Sequence, residues 1–130
     1  MQDNLATFDH PQPLSEEETA CLLRFAEQMK NAVPCTACRY CCDGCPQRIN
    51  IPQMLRVLNE IRIAPSTNAI MAVEALPESQ QPSACLGCGA CAAICPQKID
   101  IPGCMQELTE RIAKIPSWAE ISRQRAAAQP

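Results

Sequence analysis

Apolar residues recur at three- and four-residue spacing in several stretches of the chain, the period of a helix with one buried face. Ser15 with Glu18 three residues later forms a capping-box pattern, and Leu22, Phe25, Ala26 and Met29 follow at helical spacing, which predicts a leading helix ending before Val33-Pro34. Pro52 and Pro102 each open a further helical pattern, in the first turn where a missing N–H costs nothing. The first carries Met54, Leu55, Leu58 and Ile61, the second Cys104, Met105, Leu108 and Ile112. Ser66 or Asn68 starts a short helix through Ile70, Val73 and Leu76, closed by Pro77. Ser117 and Glu120 repeat the capping-box pattern before a final helix running to about Ala128. The stretch 1–14, with Pro11 and Pro13, reads as an extended arm.

The 130 residues allow one ordinary domain with a modest core. Four aromatic residues and three valines leave a β-sandwich or barrel without its usual strand formers, so the expected fold class is all-α. Residues 35–52 and 85–102 align at an offset of 50, with nine identities in eighteen positions. Two pseudo-symmetric repeats of about 35–63 and 85–114 are therefore expected. They lie inside a domain spanning 15–115, with 116–130 as a C-terminal helix or tail.

Each repeat contains C-x2-C-x2-C-x3-C-P: Cys35, Cys38, Cys41, Cys45 and Pro46, then Cys85, Cys88, Cys91, Cys95 and Pro96. This is the bacterial-type [4Fe-4S] spacing, in which three thiolates wrap one cubane and the fourth serves the other cluster of a two-cluster ferredoxin. The expectation is two [4Fe-4S] clusters, one held by Cys35, Cys38, Cys41 and Cys95, the other by Cys85, Cys88, Cys91 and Cys45. Zinc, which also takes C-x2-C pairs, is the competing reading. A zinc site normally draws two cysteines from each of two separated knuckles, whereas here four crowd into eleven residues, twice. Disulfides are the third possibility. The odd count of eleven cysteines, their bunching and the acidic, polar start from Met1 to Leu14 fit a reducing cytoplasm better.

Three cysteines stand outside the pattern. Cys21 and Cys104 fall on predicted helices as small apolar residues, and Cys42 is a thiol beside ligand Cys41. Gly87, Gly89 and Ala90 would let backbone N–H groups approach the second set of sulfurs, whereas the first motif carries Arg39, Tyr40 and Asp43. Since potential follows charge and hydrogen bonding to sulfur, unequal clusters are expected. Ile49, Ile51, Ile99 and Ile101 are expected to roof the clusters. Arg48 and Lys98 are expected in solvent, His10 solvated in the arm, and Met54, Met71 and Met105 in the core.

The long separation of Cys45 and Cys85, with each Cys-Pro leading through an extended stretch and Ile-Pro into a helix, resembles the α-helical ferredoxin fold. That fold occurs in the iron-sulfur subunits of succinate dehydrogenase and fumarate reductase and in dihydropyrimidine dehydrogenase. Pro13 to Glu17, Pro34 to Cys41, Gly44-Cys45-Pro46 and Ile51-Pro52 together look like the C-terminal 4Fe-4S domain of iron-sulfur aldo/keto reductases, over roughly residues 8–115. Cys42 departs from that pattern. The resemblance implies a partner (β/α)8 barrel carrying a nicotinamide-dependent Asp, Tyr, Lys and His site. A barrel needs about 200 residues or more, so this chain is expected to be an excised domain or truncated protein with no catalytic site of its own.

The expected function is one-electron transfer between a donor and an oxidoreductase, the partner being an aldo/keto reductase barrel or another redox protein. A free-standing electron-carrier subunit and a redox-inactive cluster module that supplies only folding energy are the rivals. A formal net charge of -3 and the lack of any Lys/Arg concentration argue against nucleic acid. The longest uncharged stretch, Ser79 to Gln97, is too rich in Cys, Gly, Pro and Gln to span a membrane.

Overall fold

The computed structural model describes residues 2–9 and 12–128. Two compact units divide the chain, residues 1–31 and 32–130. All regular structure among the described residues is helical, without a strand, and no helix there is long and apolar enough to cross a membrane.

The first unit holds α1 (Gln2–Asp9) and α2 (Glu16–Met29). Helix α1 corrects the extended reading of the arm. The prolines at 11 and 13 bar helix only in their own vicinity, and upstream Thr7 Oγ1 donates to the Asp3 carbonyl at 2.9 Å across one helical turn. His10 and Pro11 lie outside the described residues. Helix α2 starts as its capping box dictates: the Glu18 N–H donates to Ser15 Oγ at 3.2 Å, and the Ser15 N–H to Glu18 Oε2 at 2.8 Å. It ends at Met29, four residues before Val33. On its apolar stripe Leu22, Leu23, Phe25 and Met29 are all exposed and Cys21 is half-buried.

The second unit carries the repeat. Helices α3 (Tyr40–Asp43) and α4 (Ile51–Ile63) belong to the first copy, α6 (Ala90–Ala93) and α7 (Ile101–Ile112) to the second. Between them lie α5 (Thr67–Glu74) and two single 3₁₀ turns, Glu78–Gln80 and Pro82–Ala84; α8 (Trp118–Ala127) closes the chain. Ser66, one of the two anticipated caps, accepts from the Ala69 N–H and starts α5. Ser117 and Glu120 cap α8 reciprocally.

Helices α4 and α7 pack chiefly on each other, and α3 on α6, so each element meets its own counterpart. Met54, Leu55, Val57, Leu58 and Ile61 from α4, and Met105 and Leu108 from α7, are almost wholly excluded from solvent; Ile70 and Val73 of α5 close one side. Met71 corrects its assignment to the core. It sits on the outer face of α5 with 42% of its surface exposed, because Ile70 and Val73 already take the inward stripe.

Polar ties reinforce the pair. Asn59 grips Val33 through both backbone groups, accepting from its N–H at 2.7 Å and donating to its carbonyl at 3.0 Å. Arg62 Nε of α4 donates to Glu107 Oε1 of α7 at 3.0 Å, with a second bond from Nη2 to Oε2, and Arg111 Nε donates to the same carboxylate at 2.7 Å. Hydrogen bonding from Arg62, helped by Arg111, holds the Glu107 carboxyl down at about 2. Because that value lies below the unfolded one, the stabilisation is complete above about pH 4.5 and is lost as pH falls through about 2. Allowing for solvent screening at these partly exposed groups, a double-mutant cycle of Arg62→Met with Glu107→Gln at neutral pH should give a coupling of about 1 kcal/mol. A coupling near zero in thermal melts would contradict the bridge.

Candidate cluster-binding site

The two cysteine motifs share a series of equivalent turns. The Cys42 N–H donates to the Arg39 carbonyl at 2.9 Å and the Ala92 N–H to that of Gly89 at 3.0 Å; Cys45 donates to Cys42, and Cys95 to Ala92, at 3.1 and 3.2 Å. After each Cys-Pro, Arg48 and Lys98 donate to the carbonyls of Cys45 and Cys95, both at 3.0 Å. These two basic residues share φ 52 and point their charge to solvent, as expected. That turn leads straight to buried Ile49 and Ile99 and on to the proline-started helices.

Within each C-x2-C-x2-C stretch two residues are left-handed: Gly87 (φ 66) and Gly89 (φ 77) in the second, Ala37 (φ 56) and Arg39 (φ 68) in the first. Alternating handedness turns consecutive N–H groups into a concavity suited to an anionic group, a form common at Fe-S sites. At the glycines a Cβ would meet open space, so their role is conformational freedom, not clearance. Ala37 and Arg39 hold the same shape at the cost that left-handed backbone imposes on any side chain. Ala37→Gly should therefore stabilise the folded chain by about 0.5–1 kcal/mol, the relieved strain being partly offset by greater unfolded-state entropy. Chemical denaturation checks this, and a destabilised variant would contradict it.

One cavity brings the motifs together. Its rim includes Cys85, Cys88 and Cys91 from the second motif and Cys45 from the first, with Ile49, Ile51, Ile101 and Met105 as apolar walls. Gly44, Pro46, Gln47, Leu86, Gly89 and Pro102 complete it. Cys91 is buried and its thiol is pushed up, first by burial and then by Cys85 and Cys45 nearby. Cys41, its counterpart, is pushed up to about 12 by burial, reinforced by Cys42 and Cys35. Both thiols are thus neutral at pH 7 without metal, and binding iron must release their protons. Cys38 and Cys88 are exposed, while Cys35, Cys45, Cys85 and Cys95 are half-buried. In each motif the middle cysteine lies at the surface and the third lies deepest.

Among the described residues no three Cys, His, Asp or Glu side chains form a group that could hold a single metal ion. The donor set of the cavity, four thiols around a space with largely apolar walls, fits a sulfur-ligated cluster. Of the isoleucines expected as a roof, Ile49, Ile51 and Ile101 line this cavity, and Ile99 is buried in the core. Cys42 and Cys104 are half-buried against the core, and burial pushes the Cys104 thiol up. Tyr40 is exposed. Gly44, Gln47, Leu86, Pro102 and Met105 were not among the residues singled out for this site. The repeat alignment holds the signal for them, since it puts Gly44 one residue before a ligand and Pro102 and Met105 on the helix that follows the motif.

No curated protein and no solved structure matches the chain. A family model, the 4Fe-4S dicluster domain, matches residues 34–99, about half of the 130 residues, taking in both cysteine motifs. With the paired motifs, their equivalent turns and the thiol-rimmed cavity, the match shows that the chain belongs to the 4Fe-4S dicluster domain family and carries 4Fe-4S clusters for electron transfer.

Proposed function

We propose that the chain holds two [4Fe-4S] clusters with exchanged fourth ligands and relays single electrons between a donor and an oxidoreductase. Cys35, Cys38, Cys41 and Cys95 would hold the first cluster, and Cys85, Cys88, Cys91 and Cys45 the second. The observation that carries this reading is Cys45 on the rim of the cavity lined by Cys85, Cys88 and Cys91. Bound clusters supply the redox chemistry; the chain supplies thiolates, a dry wall and fixed spacing. Ile49, Ile51, Ile101 and Met105 exclude water from one side of the second set of ligands, while exposed Cys88 gives the surface edge from which an electron would leave or enter. Exposed Cys38 offers the same for the first set.

The partner best suited to this reading is an oxidoreductase of the aldo/keto reductase type, on the resemblance of Pro13 to Glu17, Pro34 to Cys41, Gly44-Cys45-Pro46 and Ile51-Pro52 to the cluster domain of that family. A cytoplasmic location belongs to the same proposal, since free thiols serve as cluster ligands where the compartment keeps them reduced. The test is anaerobic reconstitution followed by quantification of iron, acid-labile sulfide and zinc. About eight iron and eight sulfide per chain are expected. Zinc without sulfide would replace the electron-transfer reading with a structural metal module.

A further inference from the structure

The two repeats share nine of eighteen positions and the same turns, and three of their differences change charge: Arg39 against Gly89, Asp43 against Ala93 and Asn50 against Asp100. Gly89 lines the cavity of the second motif, and Arg39 occupies the equivalent place in the first, with the same left-handed backbone. Asp100 sits with Cys85 and Gly87 around a surface hollow beside the second motif; its counterpart fifty residues earlier is the uncharged Asn50. Arg48 and Lys98 are equivalent in position, backbone and exposure, and Asp43, aligned with Ala93, offsets Arg39 in part, which leaves residues 35–52 (Arg39, Arg48, Asp43) at a net charge of +1 against 0 for 85–102 (Lys98, Asp100).

We infer that Arg39 and Asp100 set the two cluster sites apart in potential, so that the site of Cys35, Cys38 and Cys41 is reduced before that of Cys85, Cys88 and Cys91. This rests on the two-cluster reading above. Reduction adds one negative charge to a site. A guanidinium beside it favours the reduced form, and a carboxylate disfavours it. An electron arriving at the second site therefore passes downhill to the first: the second site is oxidised by one electron, the first reduced by one, and no bond or proton is exchanged. Arg39 and Asp100 act through the clusters' surroundings, as positioning residues for charge.

The test is a redox titration of the reconstituted chain with a low-potential reductant such as titanium(III) citrate, followed by EPR, with iron and sulfide counted for each preparation. Wild type should show two one-electron waves. Arg39→Gln should shift the reduction equilibrium of the higher wave about tenfold toward the oxidised form, a drop of about 59 mV for one electron, and move the lower wave less. Arg39→Lys should restore most of it, which a merely structural loss would not allow. Asp100 caps α7, its Oδ1 accepting from the Gly103 N–H at 3.1 Å; Asp100→Asn retains a good helix cap and should raise the lower wave, narrowing the gap. Arg39→Gln acting on the lower wave, or on neither, would overturn the ordering while a full iron and sulfide count left the two-cluster reading intact. A single cluster per chain would remove both.

Discussion

Cys45→Ser is expected to strip the chain of about half its iron and sulfide, roughly four of each, and the loss should fall on the centre of the other motif. Cys45 belongs by sequence to the group Cys35, Cys38 and Cys41, but Pro46 and the turn closed by the Arg48 N–H carry it onto the rim of the cavity of Cys85, Cys88 and Cys91. Its nearness to Cys91 also shows in the electrostatics, since Cys45 is among the groups that push the Cys91 thiol up. Four variants separate exchanged from local ligation. Cys45→Ser and Cys85→Ser should lose the same spectral component, and Cys95→Ser and Cys35→Ser the other. If Cys45→Ser instead matched Cys35→Ser, the fourth ligands would be local and the exchange would be wrong.

Leu108→Ala should cost about 2–4 kcal/mol, a large share of the stability of a domain this size. Leu108 is 0% exposed in the seam where α7 meets α4, facing a core that includes Leu58 and Met54, also at 0%. Truncation there forfeits the transfer energy of the lost carbons and leaves a cavity that two proline-started helices, fixed at their first turns to the cysteine motifs, have little freedom to close. The seam also holds the two motifs in register, so cluster retention in air should shorten together with the fall in melting temperature. Denaturation midpoints and the decay of cluster absorbance measure both. A loss under 1 kcal/mol would mean that α4 and α7 are not the joint between the repeats.

Much of this architecture is written in local chemistry. Ser15 with Glu18 and Ser117 with Glu120 mark helix starts because a capping box needs only four residues. Pro52 and Pro102 mark two more, and the fifty-residue repeat announces that α4 and α7 are counterparts before any contact is known. Other features depend on surroundings. The stripe Leu22, Phe25 and Met29 has the spacing of a buried face yet is exposed, because periodicity states that a face is apolar and not that anything covers it. Met71 fails in the same way, since Ile70 and Val73 compete for one short inward face. The left-handed backbone at Ala37 and Arg39 is hidden for another reason: neither residue favours it, and only alignment with Gly87 and Gly89 exposes the demand.

At the site itself, residue types and spacing point to clusters without the fold, but the company each cysteine keeps does not follow from spacing. Nothing in C-x2-C-x2-C-x3-C-P says which thiol lies deepest. The fold puts Cys41 and Cys91 in the core and leaves Cys38 and Cys88 at the surface, because the single turns α3 and α6 face each other with their third cysteines inward.

The most direct test of two neighbouring, reducible clusters is the EPR spectrum of the fully reduced, reconstituted chain, recorded at several microwave frequencies. Two reduced [4Fe-4S] centres stapled into one small core should interact magnetically and give a broadened spectrum whose features shift with frequency. A simple rhombic signal from one isolated centre, or clusters that stay oxidised under strong reductant, would contradict the account.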